Sequence, residues 1–217
     1  MVQFQIKGID GERGGRSTFE KLLWKNSMSN SVQVGEIVLV EPSSDYAEDI
    51  WNLYKEIEVC DAGDGDQFSG CMFLNDCQSA EEWIGKCARM KEVETYRMEG
   101  APVPTHIYLA VRTADNRIVG SIELRHHIEC PHLKLWGGHI GYSVRPSERK
   151  KGYGKEMLRL NLQKAFEFGI PKVLVTCADG NIASEKTIVA NGGVYEKTVY
   201  VEGHGIKRFW VNMVCPE

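Results

Sequence analysis

The chain has no run of about 18 apolar residues of the kind that crosses a bilayer as a helix, and no membrane partner is expected. Its opening residues, MVQFQIKGIDGERGG, lack the continuous apolar stretch of a secretory leader, so a cytoplasmic location is expected. Seven cysteines (60, 71, 77, 87, 130, 177 and 215) make an odd set without a regular framework, and reduced thiols suit them better than disulfides. Positive charge is not in surplus: 26 Lys and Arg against 30 Asp and Glu leave a net −4. That balance speaks against nucleic acid as the main partner and mildly favours a cationic one. No internal repeat or interdomain linker is visible. With 217 residues, 42% of them hydrophobic, one substantial core in one domain is the expectation.

What the chain does have is concentrated between Gly138 and Lys155, GHIGYSVRPSERKKGYGK. The spacing predicts a strand (Gly138–Val144), a short basic connector, and a helix opening at about Gly152. Leu158, Leu162, Ala165 and Phe166 then fall at helical spacing, Gly169 stops the helix, and Pro171 follows. A second apolar strand, Lys172–Cys177, completes a strand–helix–strand crossover. A helix start offers several N–H groups without an intrahelical partner at the positive end of the helix dipole. Gly152 and Gly154 let a ligand approach the backbone closely. Arg149, Lys150, Lys151 and Lys155 add positive charge, so the site suits an anion, most naturally a phosphate. It is neither a Walker loop, which needs Gly-Lys-Ser/Thr, nor a dinucleotide fingerprint, which needs a third glycine.

Elsewhere the reading runs as follows. Residues 1–33 lack apolar periodicity and read as an extension, with Met28 as an alternative start; the domain proper covers 34–217. It begins with a strand over Glu36–Val40. A helix then runs from about Asp45 to Val59, and a second opens at the capping box Ser79-Ala-Glu-Glu82. Ile107–Arg112 and Ile118–Arg125 form a hairpin, and a loop through Trp136 leads to the central strand. A short helix (Ala183–Asn191) and a hairpin of Val194–Val201 with Ile206–Met213 close the chain. Two metal motifs are considered and set aside. Asp61–Asp66 lacks the downstream glutamate of a calcium loop, and His126-His127-x-x-Cys130-x-His132 has no standard zinc spacing. No metal is expected.

Arg149-Lys-Lys-Gly152-Tyr-Gly154, followed by Asp179-Gly-Asn181-Ile-Ala-Ser184 and Asn191-Gly192-Gly193, resembles the signature of the GNAT superfamily of acetyl-CoA-dependent N-acetyltransferases. Within it the chain is similar to a bacterial branch of predicted acetyltransferases, over roughly Gly35 to Met213. The resemblance implies an α/β (α+β) fold, a mixed, mostly antiparallel sheet flanked by helices. It also implies acetyl-CoA as co-substrate and an amine acceptor. The backbone of Tyr142, Ser143 and Val144 would pair with the pantetheine arm, and the Val144 amide would polarise the thioester carbonyl. Amides from Arg149 through Lys150, Lys151, Gly152, Tyr153 and Gly154 to Lys155 would cradle the pyrophosphate. Asn181 and Ser184 match positions that contact the CoA arm, although Asn181 also suits a plain helix cap.

Two departures from the family pattern concern proton handling. The tyrosine that many relatives keep seven residues after this asparagine is here Ile188. The glutamate that histone-acetylating relatives keep on the central strand is here Gly138. Tyr195 and Cys177 are the substitutes for the acid. Glu123 and His139 are named for the base, with His126 close behind and a water relay as an alternative. The reaction expected is direct acetyl transfer to an amine. The competing readings are a non-catalytic acyl-CoA-binding module of the same fold and a phosphate-binding enzyme of another class. A homodimer is compatible with either.

Overall fold

The computed structural model describes residues 36–63 and 67–213. The described residues belong to one compact unit. The expected extension over 1–33 therefore lies outside the described residues. The elements follow in the order β1 (Ile37–Val40), α1 (Ala47–Cys60), α2 (Ala80–Met90), β2 (Thr105–Arg112), β3 (Arg117–Arg125), β4 (Ile140–Val144), α3 (Tyr153–Glu167), β5 (Lys172–Ala178), α4 (Ile182–Val189), β6 (Val194–Val201) and β7 (His204–Asn212).

Seven strands form one mixed sheet in the order β1-β2-β3-β4-β5-β7-β6, antiparallel everywhere except between β4 and β5. The parallel step follows from the α3 crossover, because a helix returns the chain to the same end of the sheet. One face of β2 and β3 (Ile107, Leu109, Val111, Ile118) packs on Ile50, Leu53 and Ile57 of α1 and Trp83, Cys87 and Met90 of α2. On α3, Leu158, Leu162 and Ala165 are buried, as their spacing predicts, and Met157 joins them, while Phe166 is only half-buried. Met157 lies against Gly120 of β3, where a Cβ would come within 2.9 Å of its sulfur.

Helix α2 shows how closely local chemistry sets its boundary. Ser79 stands in extended geometry, its hydroxyl accepting from the Glu82 N–H at 3.2 Å. The Glu82 carboxylate reaches back to the Gln78 N–H at 2.7 Å, one residue earlier than the usual reciprocal bond. Ser79→Ala is expected to lower stability by about 1 kcal/mol, read as a shift of the urea midpoint at unchanged slope.

The strand boundaries differ from expectation by one or two residues, with one informative exception. The central strand begins at Ile140 because Gly138, at φ +64°, turns the chain first. A Cβ at Gly138 would lie 2.7 Å from the Leu174 carbonyl oxygen, so no glutamate fits at this position. The stretch expected as loop before it is a π-helical turn over Leu133–Gly137. Its carbonyls are held by side chains remote in sequence: Arg208 on Lys134 and Leu135, Thr176 on Trp136, and Arg125 on Gly137 and Gly138.

Candidate active site

The site is organised by the divergence of β4 and β5. Their register holds at a single pair, Ile140 with Val175. The Arg145 N–H donates to the Val119 carbonyl at 2.9 Å, and the Arg125 N–H to that of His139 at 2.8 Å. The odd-numbered residues of β4 therefore bond to β3. Because main-chain groups alternate along a strand, those of Tyr142 and Val144 turn the other way, into the opening beside β5. The Val144 carbonyl is taken by Arg149 Nε at 3.1 Å.

Just past that opening the chain enters α3. Gly152 stands at φ +88°, a conformation costly for any residue with a Cβ, and no side chain among the described residues caps the helix it precedes. Its carbonyl takes the N–H groups of Lys155 and Glu156 at 3.1 and 3.4 Å, leaving the earlier amides of the turn without an intrahelical partner. A Cβ on Gly154 would meet Val144, Thr187 and Tyr142 only at ordinary distances of 3.4–3.9 Å. Glycine there is not demanded by the protein's own packing, which agrees with close approach by a ligand.

The basic residues divide into two sets. Arg149 clamps Asp61 (2.7 Å) and Lys151 bonds Glu148 (2.9 Å), so both hold the connector in place. Glu148, buried, also binds Arg112 at 2.8 Å, and Arg112 bonds the Tyr153 hydroxyl at 3.1 Å. The Tyr153 ring therefore points inward, which leaves only its backbone available to a ligand at the helix start. Lys150, at φ +63°, and Lys155 form no ion pair among the described residues.

Across the opening, the Asn181 side chain caps α4 by accepting from the Ser184 N–H at 3.0 Å. The Ser184 hydroxyl meets the Tyr142 hydroxyl at 2.8 Å, tying β4 to α4. Burial pushes the Tyr142 phenol up to about 12 and the Cys177 thiol, on β5 facing α4, up to about 11. Both stay protonated near neutrality. Ile188 is fully buried and packs on Gly193, so the acid that the family often keeps there has no counterpart. Tyr195 is half exposed on the edge strand, bonded to Thr198.

The two base candidates occupy different surroundings. Glu123 stands opposite Ile107 on β2 and Gly141 on β4, on the sheet face covered by α1 and α2, and is 2% exposed. The alternation with Arg125 looks like a solvated ladder in sequence; in the fold it is an enclosed pair. Glu123 Oε1 contacts the Arg125 guanidinium, while Oε2 is enclosed and has no hydrogen-bond partner among the described residues. Gly141 makes room for this carboxylate, since a Cβ there would lie 2.6 Å from Oε1. Above it runs the segment Ser69–Cys71. Gly70, at φ +79°, presses onto β3 and β4, where a Cβ would fall 2.6 Å from the Ser121 carbonyl oxygen and 2.7 Å from Tyr142 Cα.

His139 sits at the seam between β4 and β5. Its N–H donates to the Leu174 carbonyl at 2.8 Å, and its Nδ1 accepts from the Leu174 N–H at 2.9 Å. The lone pair a base would use is thus committed to the β4–β5 seam. Burial pulls its pKa down from 6.5 to about 4. The neutral ring is the form the fold binds, so stability is full above pH 6.5 and falls as pH drops towards 4, when only the unfolded chain takes the proton. That loss is on the order of 3 kcal/mol for His139. His139→Gln, which retains an acceptor for Leu174, is expected to flatten the acid limb of the urea midpoint between pH 6.5 and 4. His126 is turned away, its Nε2 at 2.7 Å from His106 Nδ1. Cys130 pairs with His132, Sγ to Nδ1 at 2.9 Å, so the residues of the zinc-like motif part company. Among the described residues no group of three or more His, Cys, Asp or Glu is placed to hold a metal, and no helix is long and apolar enough to cross a membrane.

The sequence profile described as the acetyltransferase (GNAT) domain matches residues 36–194. This chain belongs to the GNAT acetyltransferase family. Solved structures share the fold at low identity. RimL, a ribosomal L7/L12 alpha-N-protein acetyltransferase in complex with coenzyme A, is 18% identical with a TM-score of 0.56, over 81% of this chain and 93% of its own. Spermidine N-acetyltransferase from Vibrio cholerae, with CoA and spermine, is 14% identical with a TM-score of 0.53, over 82% and 95%. The microcin C7 self-immunity acetyltransferase MccE, with acetyl-CoA and AMP, is 15% identical with a TM-score of 0.56, over 83% and 97%. No protein of curated function matches the chain. In this GNAT chain the residues missed from sequence are Arg125, the segment Ser69–Cys71 and the turn Leu133–Gly137. Gly70 and the Gly137-Gly138 pair were the only local signals of close packing there.

Proposed function

We propose that the protein transfers acetyl from acetyl-CoA to an amine by direct attack. The observation that carries this is the uncapped start of α3 set at the mouth of the β4–β5 opening, with the main chain of Tyr142 and Val144 facing in. The pyrophosphate lies on the amides of residues 152–154, with Lys150 and Lys155 adding charge and Arg149 and Lys151 fixing the loop. The pantetheine runs along Tyr142–Val144 as an added strand. The amine nitrogen attacks the thioester carbon, and the developing oxyanion is met by the Val144 N–H. The carbon–sulfur bond then breaks. Glu123 takes the amine proton, the thiolate takes one through the hydrogen-bonded Tyr142 and Ser184 hydroxyls at the opening, and exchange with solvent returns Glu123 to the carboxylate and that pair to its protonated form. His139 positions the seam that β4 and β5 share.

The neighbours' names support acetyl-CoA as donor but point to different acceptors, a polyamine in one and a protein α-amine in another. The test is calorimetry with CoA followed by thiol release over an amine panel. Binding together with amine-dependent release is expected. The buried Ile188 favours the second reading, an acyl-CoA-binding module, and that reading requires CoA binding without release for any amine.

A further inference from the structure

The sheet ends on two unlike edges. β1 is four residues long and flanked by Glu36, Glu41 and Pro42, the short, charged form that blunts strand pairing. β6 is eight residues long, Val-Tyr-Glu-Lys-Thr-Val-Tyr-Val, and among the described residues it pairs with β7 alone. Its register with β7 shifts between Tyr195 and Lys197, a bulge at Glu196, whose carboxylate accepts from Arg208 Nε at 2.7 Å. Beyond the bulge, Lys197–Val201 keeps a regular register and carries no proline and a single charge. Alternate residues of this stretch turn their N–H and C=O away from β7, and among the described residues no other main chain bonds to them. The side chains are open as well: Val194 is 64% exposed, Tyr195 53% and Tyr200 75%. A long edge of β-branched and aromatic residues left in water is a template for another strand.

We propose that β6 pairs antiparallel with β6 of a second copy about a two-fold axis at Val199, joining two seven-stranded sheets into one. Val199 then faces its own counterpart, Thr198 faces Tyr200, and Lys197 faces Val201, close enough for its ammonium to reach Glu202 of the second copy. Glu196, which comes opposite Glu202, is already neutralised by Arg208. A strand that pairs with itself needs no surface beyond its own, which is why a second copy fits this edge. The two-fold consumes both β6 edges and leaves the short β1 edges outside, so growth stops at the dimer. Tyr195 and Tyr200 together leave roughly 200–300 Å² per copy open. That is about a third of the roughly 800 Å² each partner covers in a stable interface, and the paired main chain with Val194, Val199 and Val201 adds to it.

Sedimentation equilibrium of the full-length protein is expected to show a dimer at micromolar concentration. Val199→Cys under mild oxidation is expected to link two copies through a disulfide, because residues facing across the axis have Cα atoms about 4.5–5.5 Å apart. Lys197→Cys places its thiols roughly 14 Å apart along the paired strands and is expected not to link, like the wild type. Tyr200→Lys changes a residue that is three-quarters exposed, so the fold tolerates it; it removes two cross-strand pairs and is expected to raise the dimer dissociation constant at least about tenfold. A monomer at these concentrations overturns the proposal, whatever else covers β6. So does a dimer that Val199→Cys fails to link and Tyr200→Lys fails to weaken, because such a dimer joins through another face. Linkage by Lys197→Cys in place of Val199→Cys overturns the axis at Val199.

Discussion

Gly152→Asp is expected to raise the dissociation constant for coenzyme A by a hundredfold or more. Two effects act together at this residue. It sits at φ +88°, where a side chain costs about 1–2 kcal/mol. The new carboxylate would also stand beside the diphosphate, and like charges about 4 Å apart repel by about 4 kcal/mol at an effective dielectric near 20. Gly152→Ala carries the backbone cost without the charge, and is expected to weaken binding by roughly tenfold on the same strain. The order of affinities, wild type above alanine above aspartate by calorimetry, separates the electrostatic part from the steric one. Unchanged affinity in the aspartate variant would place the diphosphate away from α3.

Glu123→Gln is expected to lower kcat/KM for the amine by about a hundredfold or more, the usual range for loss of a proton acceptor, while leaving CoA affinity within about twofold. The substitution preserves volume at a residue that is 2% exposed, against Gly141 and beneath Ser69. Loss of packing should therefore be small and visible separately in the urea midpoint. A full rate in the variant would transfer the proton to water and leave Glu123 as the partner of Arg125 alone.

The parts of this protein that could be read from sequence are those whose chemistry is local. The start of α3 combines glycine, basic residues and an apolar helical period within a few positions, and it folds as that pattern requires. The capping box at Ser79 and the two hairpins are legible for the same reason. Glu123 was nameable but its surroundings were not. Alternation with Arg125 is the pattern of an exposed ladder, and only the register with Ile107 and Gly141 puts that face under α1, α2 and their connecting segment. The turn at Leu133–Gly137 was illegible because its carbonyls are satisfied by Arg125, Thr176 and Arg208, which come from three different strands. The surroundings of His139 were hidden for a related reason: what takes its Nδ1 lone pair is a main-chain N–H on β5, invisible until the two strands are set side by side.

The most direct measurement is a crystal structure of the protein soaked or co-crystallised with coenzyme A. The account predicts phosphate oxygens within about 2.7–3.2 Å of amide nitrogens in the first turn of α3, with the pantetheine lying along Tyr142–Val144. A cofactor bound elsewhere on the protein, with that turn open to solvent, would contradict it.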